Sequence, residues 1–353
     1  MFFGNKKNTS NGSDYTVNGH AFGIDLGTGN IKIFNNADGS IINEKNMIAV
    51  KGKDDLLAYG NEAYDMFEKN PSNIRISYPL SNGVIADINH MQVVLKSFIS
   101  EMTRAKNPGS DFFVAVPTDI TEVEKRAFFD LVKDSNVKAK KIMIVEKAIA
   151  DGLGLDIDVK NSQGVMIVDV GFDTTEISIL SLGGIVISKL IKVGGRKFDE
   201  CIQNAIRREY HLVIGGKTSE KLKIELNTIR DSGEDAVVYG RDIVTGLPVE
   251  RRIPTDLVDI SLNEHVNTIV DNVKVILERT PPELAADIYK HGIYLTGGSA
   301  NLVNIQELVS RGTSLNVNLS EEPQVSVVEG LARVIKEESF RSVAYSIEGM
   351  SQH

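Results

Sequence analysis

Two aspartates in this chain each stand one apolar residue before a glycine turn. Asp25 precedes the turn 27–30, and Asp169 precedes the turn 171–175. Glycine lets a turn bring its backbone N–H groups close to an anion. Two such turns facing each other would hold a polyphosphate, and the two carboxylates would hold Mg²⁺ through water. Each motif alone is weak evidence, because a plain hairpin turn has the same pattern.

A third glycine loop follows an apolar strand in the second half of the chain. Residues 293–295 predict the strand, Gly297 and Gly298 the loop, and Ser299 the start of a helix. Such a loop would let a flat base and its sugar lie against the backbone. The alternative is an ordinary tight connection between a strand and a helix.

The elements around the two aspartates repeat. Residues 21–34 and 165–180 both consist of an apolar strand, an aspartate, a glycine turn and a second apolar strand. This similarity indicates an internal duplication. Strands and helices of mixed order follow each unit, so we predict an α/β protein built from two related domains.

Helix and strand signals support this architecture in the first half. Asp87 precedes an apolar stripe with helical spacing, and Thr121 with Glu124 forms a capping box ahead of a second stripe. Residues 112–116 predict a buried strand between the two helices.

Composition limits the functional classes. A chain of 353 residues corresponds to about two domains. Hydrophobic residues make up 42% and charged residues 25%, which is typical of a globular protein. The net charge of -9 repels phosphate backbones, so we expect no nucleic acid partner.

Several segments resemble a known superfamily. The aspartate turns and the glycine loop are similar to those of the ATPase superfamily of actin, Hsp70 and hexokinase. Four longer segments resemble, more narrowly, the bacterial actin MreB family, and they are residues 82–87, 120–126, 240–248 and 280–288. The resemblance covers residues 21–335.

The resemblance implies an actin-like ATPase fold. Two duplicated RNase H-like domains would flank a nucleotide cleft, each with a smaller inserted subdomain. We predict domain I over 21–163 plus 330–345 and domain II over 164–329. A flexible leader over 1–20 and a tail over 346–353 complete the chain.

The resemblance also implies a binding site for ATP or ADP with Mg²⁺. Glu220 and Lys223, which share a helix face, match the family helix that contacts ribose and adenine; the alternative is a solvated charge pair. Asp25 and Asp169 remain the expected metal residues. The nucleotide-binding residues implied are Asp25, Gly27, Thr28, Gly29, Asn30, Gly171, Phe172, Asp173, Thr174, Glu220, Lys223, Gly297, Gly298, Ser299 and Ala300.

The chain departs from the family where hydrolysis is expected. Lys147 stands where the family has the glutamate that orients the attacking water, and an ammonium cannot accept a proton at neutral pH. Asp173 adds a negative charge near the γ-phosphate position. We hypothesise that Lys147 and Asp173 compensate each other, which preserves binding and weakens hydrolysis. In the alternative, a one-residue slip lets Glu146 serve. The predicted catalytic set is Lys147, Glu146 and Thr174.

The resemblance implies a cytoskeletal protein. ATP would bind between the domains and favour head-to-tail assembly into protofilaments. These protofilaments would be paired or would include sister actin-like proteins. They would support cell shape or shape-driven movement. The alternative is a small-molecule kinase on the same scaffold, which would need a carboxylate base beside a substrate hydroxyl.

The amino terminus carries a potential membrane anchor. Phe2 and Phe3 after Met1 would insert into a lipid surface, and Lys6 and Lys7 would meet anionic headgroups. We expect a cytoplasmic protein, which this anchor would hold at the inner face of the cell membrane. The alternative is a disordered leader without a role.

Overall fold

The computed structural model shows two halves of the chain, each with its own large sheet. Most of the predicted leader, and the end of the predicted tail, lie outside the described residues. Within those residues, no helix combines the length and the apolar character needed to cross a membrane. The structure describes residue 17 and residues 19–104, 108–302 and 304–348.

The first half alternates strands and helices. Its elements are β1 (Ala21–Leu26), β2 (Asn30–Asn35), β3 (Ile41–Lys45), β4 (Ile48–Lys51), β5 (Asp55–Tyr59), α1 (Gly60–Met66), β6 (Ile74–Ser77), β7 (Leu80–Ser81), β8 (Val84–Ile85), α2 (Ile88–Met102), β9 (Ser110–Val116), α3 (Glu122–Asp134), β10 (Ala139–Glu146) and α4 (Lys147–Gly154).

The second half begins with the same strand order, and its last α-helix packs against strands of the first half. Its elements are β11 (Val165–Val170), β12 (Thr175–Ser181), β13 (Gly184–Ile191), α5 (Gly195–Tyr210), β14 (Leu212–Val213), α6 (Gly216–Ser232), β15 (Ala236–Asp242), β16 (Pro248–Ile253), α7 (Thr255–Arg279), α8 (Pro282–His291), β17 (Ile293–Thr296), α9 (Ile305–Thr313), β18 (Val317–Leu319), α10 (Ser326–Lys336) and a 3₁₀ helix (Glu338–Val343).

The two large sheets have the same topology. The first has the strand order β10-β9-β1-β2-β3, with β1 antiparallel to β2 and parallel to β9. The second has the order β13-β12-β11-β17-β18, with β11 antiparallel to β12 and parallel to β17. The predicted duplication is therefore confirmed. We call residues 21–154 the first lobe and residues 165–319 the second lobe.

Each lobe also carries a smaller sheet. In the first lobe the order is β5-β4-β6, packed against α1, and in the second it is β14-β15-β16, packed against α6. The predicted plan of two related units with smaller insertions is thus present. The exact domain boundaries at 163/164 and 329/330 stay predictions.

The local signals of the first lobe are confirmed. The Asp87 side chain accepts a hydrogen bond from the His90 backbone N–H at the start of α2. Thr121 and Glu124 form both bonds of the capping box at the start of α3. The strand predicted over 112–116 begins two residues earlier, as β9.

An apolar core joins the lobes below the cleft. It contains Phe113 of β9, Ile167 of β11 and Leu331 of α10, all of them buried. Helices α4 and α10 run through this core and pack closely together. A Cβ atom on Gly154 would lie 1.8 Å from the Ser326 carbonyl oxygen, and one on Gly330 would lie 1.7 Å from the Ala150 carbonyl oxygen.

We predict that Gly330→Ala lowers the free energy of unfolding by about 1–3 kcal/mol, as overpacked cores do. Alanine alone would favour a helix by about 1 kcal/mol, but a backbone oxygen cannot rotate away from the new methyl group. Urea unfolding measures the change. Gly184→Ala is the control, because its Cβ would lie 3.8 Å from the nearest atom. Equal stability of both variants would contradict the close packing.

Candidate functional site

A cavity of about 100 Å³ lies where the two predicted aspartate turns face each other. We call it the central cavity. The carboxyl ends of β1 and β11 bring the turns together, since these strands occupy equivalent places in the two sheets. Of the predicted site residues, its lining contains Asp25, Gly27, Thr28, Gly29, Asn30, Lys147, Asp169, Gly171, Phe172, Thr174, Gly297 and Gly298.

The first turn is held by a buried asparagine. The Asn46 side chain donates to the Gly27 carbonyl at 2.9 Å, and the Asn46 backbone N–H donates to the Gly29 carbonyl at 2.9 Å. A Cβ atom on Gly29 would lie 2.6 Å from the Phe172 ring. Glycine is therefore required where the two turns approach.

Each of the two aspartates is paired with a lysine. Asp25 lies opposite Lys32 in the β1–β2 pair, and its carboxylate is 2.9 Å from the Lys32 ammonium. The Asp169 carboxylate is 2.5 Å from the Lys147 ammonium. Burial favours a raised pKa for Asp25, but the charges of Lys32 and Lys147 outweigh it and lower that pKa.

Lys147 is the first residue of α4 and points into a group of carboxylates. Burial disfavours its charge, but the fields of Asp169, Asp25 and Glu176 outweigh burial and raise the pKa of Lys147. Burial raises the pKa of Glu176 to about 7, partly offset by Lys147. The ammonium thus stays charged at neutral pH and cannot act as a base.

Glu146 does not line the central cavity. Its carboxylate accepts hydrogen bonds from the Lys125 ammonium at 3.0 Å and from the Tyr345 hydroxyl at 2.6 Å. Glu146 ends β10 whereas Lys147 begins α4, so the two neighbouring side chains go to different partners. The one-residue slip is therefore not supported by the geometry.

Asp173 does not pair with Lys147, and the hypothesis that the two compensate each other is wrong. The buried Asp173 carboxylate forms an ion pair with Arg196 at 2.7 Å. It also accepts a hydrogen bond from the Asn82 backbone N–H at 2.9 Å. Both partners hold the carboxylate outside the lining of the central cavity, while Thr174 lines it.

An aromatic cluster lies beside the second turn, and its member Phe172 lines the central cavity. The ring centroids of Tyr78 and Phe172 are 5.3 Å apart. The Arg196 guanidinium lies 5.0 Å from each ring centroid, which is a cation–π distance. Tyr78 belongs to the first lobe and the other two to the second, so the cluster connects the lobes.

The third glycine loop is tied to the second turn. Gly297 has a φ of +91°, and a Cβ atom there would lie 2.1 Å from an Asp169 carboxylate oxygen. The Ser299 hydroxyl donates to the Gly171 carbonyl at 2.9 Å. The prediction of Ser299 as a helix start is wrong, because turns follow it and α9 begins at Ile305.

A second cavity of about 380 Å³ adjoins the first. We call it the side cavity. It is lined by Glu220, Lys223 and Ser299 of the predicted set, whereas Ala300 is buried and lines neither cavity. Lys223 pairs with Asp199 at 2.7 Å. The residues that line both cavities, and so make one continuous cleft, are Asn30, Phe172, Gly298 and Gln324.

Polar contacts also bridge the lobes above the cleft. The Lys45 ammonium lies 2.8 Å from the Glu220 carboxylate, which also accepts a hydrogen bond from the Tyr64 hydroxyl. The Glu68 carboxylate accepts hydrogen bonds from the Gly216 and Lys217 N–H groups, the free donors at the start of α6. We call this set the upper bridge.

The described residues do not fit a metal ion held directly by the protein. No group of three or more histidine, cysteine or acidic side chains among residues 19–104, 108–302 and 304–348 is arranged to hold one. Asp25 and Asp169, the expected metal residues, each have an ammonium within 3 Å. A hard cation, held directly or through water, would compete with these ammonium groups for the carboxylate oxygens.

Four residues in or beside the cleft are not among those predicted from the sequence. Lys32 is the polar residue between two isoleucines of β2, and a tight β1–β2 hairpin places it opposite Asp25, which is a signal present in the sequence. Arg196, Asn46 and Gln324 gave no such signal, because their roles depend on contacts between segments distant in sequence.

Known proteins match this chain over most of its length. The family model described as MreB/Mbl protein matches residues 19–342. The cell shape-determining protein Mbl of Bacillus cereus is 37% identical over 312 residues, 87% of this chain and 93% of the relative. The cell shape-determining protein MreB of Escherichia coli K12 is 33% identical over 322 residues, 89% of this chain and 92% of the relative.

A solved structure matches closely as well. The crystal structure of MreB5 of Spiroplasma citri bound to ADP has a TM-score of 0.83 and 34% identity, covering 91% of this chain and 96% of that chain. The same protein bound to AMPPNP matches equally. The expected actin-like fold is thereby confirmed. From the family match and these relatives, the chain belongs to the MreB/Mbl family.

Proposed function

We propose that this chain is an actin-like cytoskeletal protein that binds ATP or ADP in its cleft and assembles end to end into filaments. The observation that carries the proposal is the continuous cleft, in which two glycine turns face each other and open into a larger cavity. The ADP-bound and AMPPNP-bound structures of the 34% identical Spiroplasma citri protein support an adenine nucleotide as the ligand.

The two cavities suit different parts of the ligand. The phosphates would lie in the central cavity, against the turns that contain Thr28 and Thr174, where backbone N–H groups bind anions. The nucleoside would lie in the side cavity near Glu220 and Lys223. Any Mg²⁺ that accompanies the nucleotide would be held by its phosphates, because lysines already pair with both aspartates.

We propose that the chain forms filaments because it belongs to the MreB/Mbl family. Mbl and MreB relatives are named for determining cell shape. A head-to-tail contact between identical chains does not close and so gives an open polymer. We propose filaments in the cytoplasm, paired or shared with sister actin-like proteins, that support cell shape or shape-driven movement.

Hydrolysis in this cleft is expected to be slow. The Lys147 ammonium stands at the family's catalytic glutamate position and cannot accept a proton from water. Thr174 remains available to orient a phosphate or a water molecule. No described feature favours the kinase alternative, since the carboxylates in the central cavity lining, Asp25 and Asp169, are both in ion pairs.

Filling the cleft at Gly298 should block nucleotide binding. Gly298 lines both cavities, and a Cβ atom there would meet no atom within 4 Å. We therefore expect Gly298→Val to fold normally, to bind ADP at least about tenfold more weakly by calorimetry, and to lose nucleotide-dependent pelleting. Gly184→Val, at an open site outside the cleft, should behave as the wild type. Normal binding by Gly298→Val would contradict the proposed ligand position.

Restoring a carboxylate should restore hydrolysis. We expect Lys147→Glu to raise the rate of phosphate release from ATP by about 10²-fold, the usual contribution of one general base. Lys147→Gln is the control, because an amide removes the charge without supplying a base. A fast wild-type rate, or no gain in Lys147→Glu, would rule out the assigned position.

The proposed membrane contact rests on residues 1–7, which lie outside the described residues. Deletion of these residues should abolish flotation with anionic vesicles, since each lysine contributes about 1 kcal/mol near such a surface. Filaments would amplify this weak anchor through many copies. Vesicles of neutral lipid are the control, and unchanged flotation after the deletion would refute the anchor.

A further inference from the structure

The charges in the central cavity balance without a metal. Its lining contains four charged residues, Asp25, Lys32, Lys147 and Asp169. The two carboxylates are 3% and 5% exposed, and each is within 3 Å of one ammonium. A buried carboxylate needs a cation beside it, and here the chain supplies both cations itself.

The Lys147 ammonium lies among several buried carboxylates. It lies against Asp169 and within the fields of Asp25 and Glu176, two further buried carboxylates. The other oxygen of Asp169 is covered by the Gly297 backbone, since a Cβ atom there would lie 2.1 Å from it. A hydrated Mg²⁺ therefore reaches Asp169 only if Lys147 leaves.

The Lys147 ammonium and a Mg²⁺ ion cannot both lie beside the Asp169 carboxylate. An ammonium and a divalent ion beside one carboxylate repel each other strongly in a cavity with little water. The lysine is covalently attached at the start of α4, so its local concentration far exceeds that of a free ion. The ammonium has three donors, of which Asp169 takes one, and Lys147 itself lines the central cavity.

We propose that the Lys147 ammonium takes the place of a divalent cation in this cleft, so that the chain binds ATP or ADP equally well with and without Mg²⁺. This inference rests on the proposed function, because it concerns the same nucleotide. Lys147 bridges Asp169 and the phosphate oxygens, as a magnesium ion and its waters would otherwise do. The lysine at position 147, where the family has its catalytic glutamate, therefore removes the general base and supplies the counter-ion for the phosphates.

The test is a calorimetric titration of the full chain with ADP and with AMPPNP, each in excess Mg²⁺ and in excess EDTA. We expect the dissociation constants in the two conditions to differ by less than about threefold. Binding that is at least about tenfold weaker in EDTA would overturn this inference and leave the proposed function standing. Absence of binding in both conditions would overturn both.

Variants at Lys147 test whether the ammonium is responsible. In EDTA, Lys147→Met should weaken ADP binding about 10- to 100-fold, the usual loss for a charge-assisted contact, and Mg²⁺ should restore part of it. Lys147→Arg keeps the charge and should remain insensitive to Mg²⁺. Metal-free binding by Lys147→Met as tight as the wild type would overturn the inference.

A second measurement needs no nucleotide. Mg²⁺ alone should raise the melting temperature of Lys147→Glu, which adds a carboxylate beside Asp169 and removes the ammonium that pairs with it. Mg²⁺ should leave the melting temperature of the wild type unchanged. The melting curve also checks that each variant folds. An equal shift in the wild type would show that Mg²⁺ binds despite Lys147 and would overturn the inference.

Discussion

Burying carboxylates where two hairpin turns meet is the constraint on which the cleft depends. Asp25 and Asp169 are almost fully buried. Without adjacent cations, burial of their charges would destabilise the fold by more than the surrounding packing stabilises it. Lys32 and Lys147 supply those cations. The glycines of the turns and of the loop at Gly297 then allow the backbones to approach the same point.

The sequence predicted well what depends on neighbours along the chain. The two aspartate hairpins, the helix caps at Asp87 and Thr121 and the duplicated architecture rest on local spacing, and the structure contains all of them. A serine after glycines often caps a helix, which favours a helix start at Ser299, but its hydroxyl donates to the Gly171 carbonyl instead.

Pairing of charges was harder to predict. The sequence indicated that Lys147 and Asp173 were unusual, but not which charge each would meet. Asp173 meets Arg196, which lies on the first turn of α5, and Lys147 meets Asp169 on β11. Such choices depend on the direction of side chains from distant segments, which composition and periodicity do not contain. The same reason explains why Glu146 and Lys147, adjacent in sequence, serve different partners.

The upper bridge has a kinetic consequence. Lys45, Tyr64 and Glu68 of the first lobe contact α6 of the second lobe. Lys45 and its partner Glu220 also line the side cavity. A nucleotide bound in that cavity would lie beside contacts that join the lobes, so separation of the lobes would limit the rate of its release. Exchange between bound and free nucleotide would then depend on how readily the upper bridge breaks.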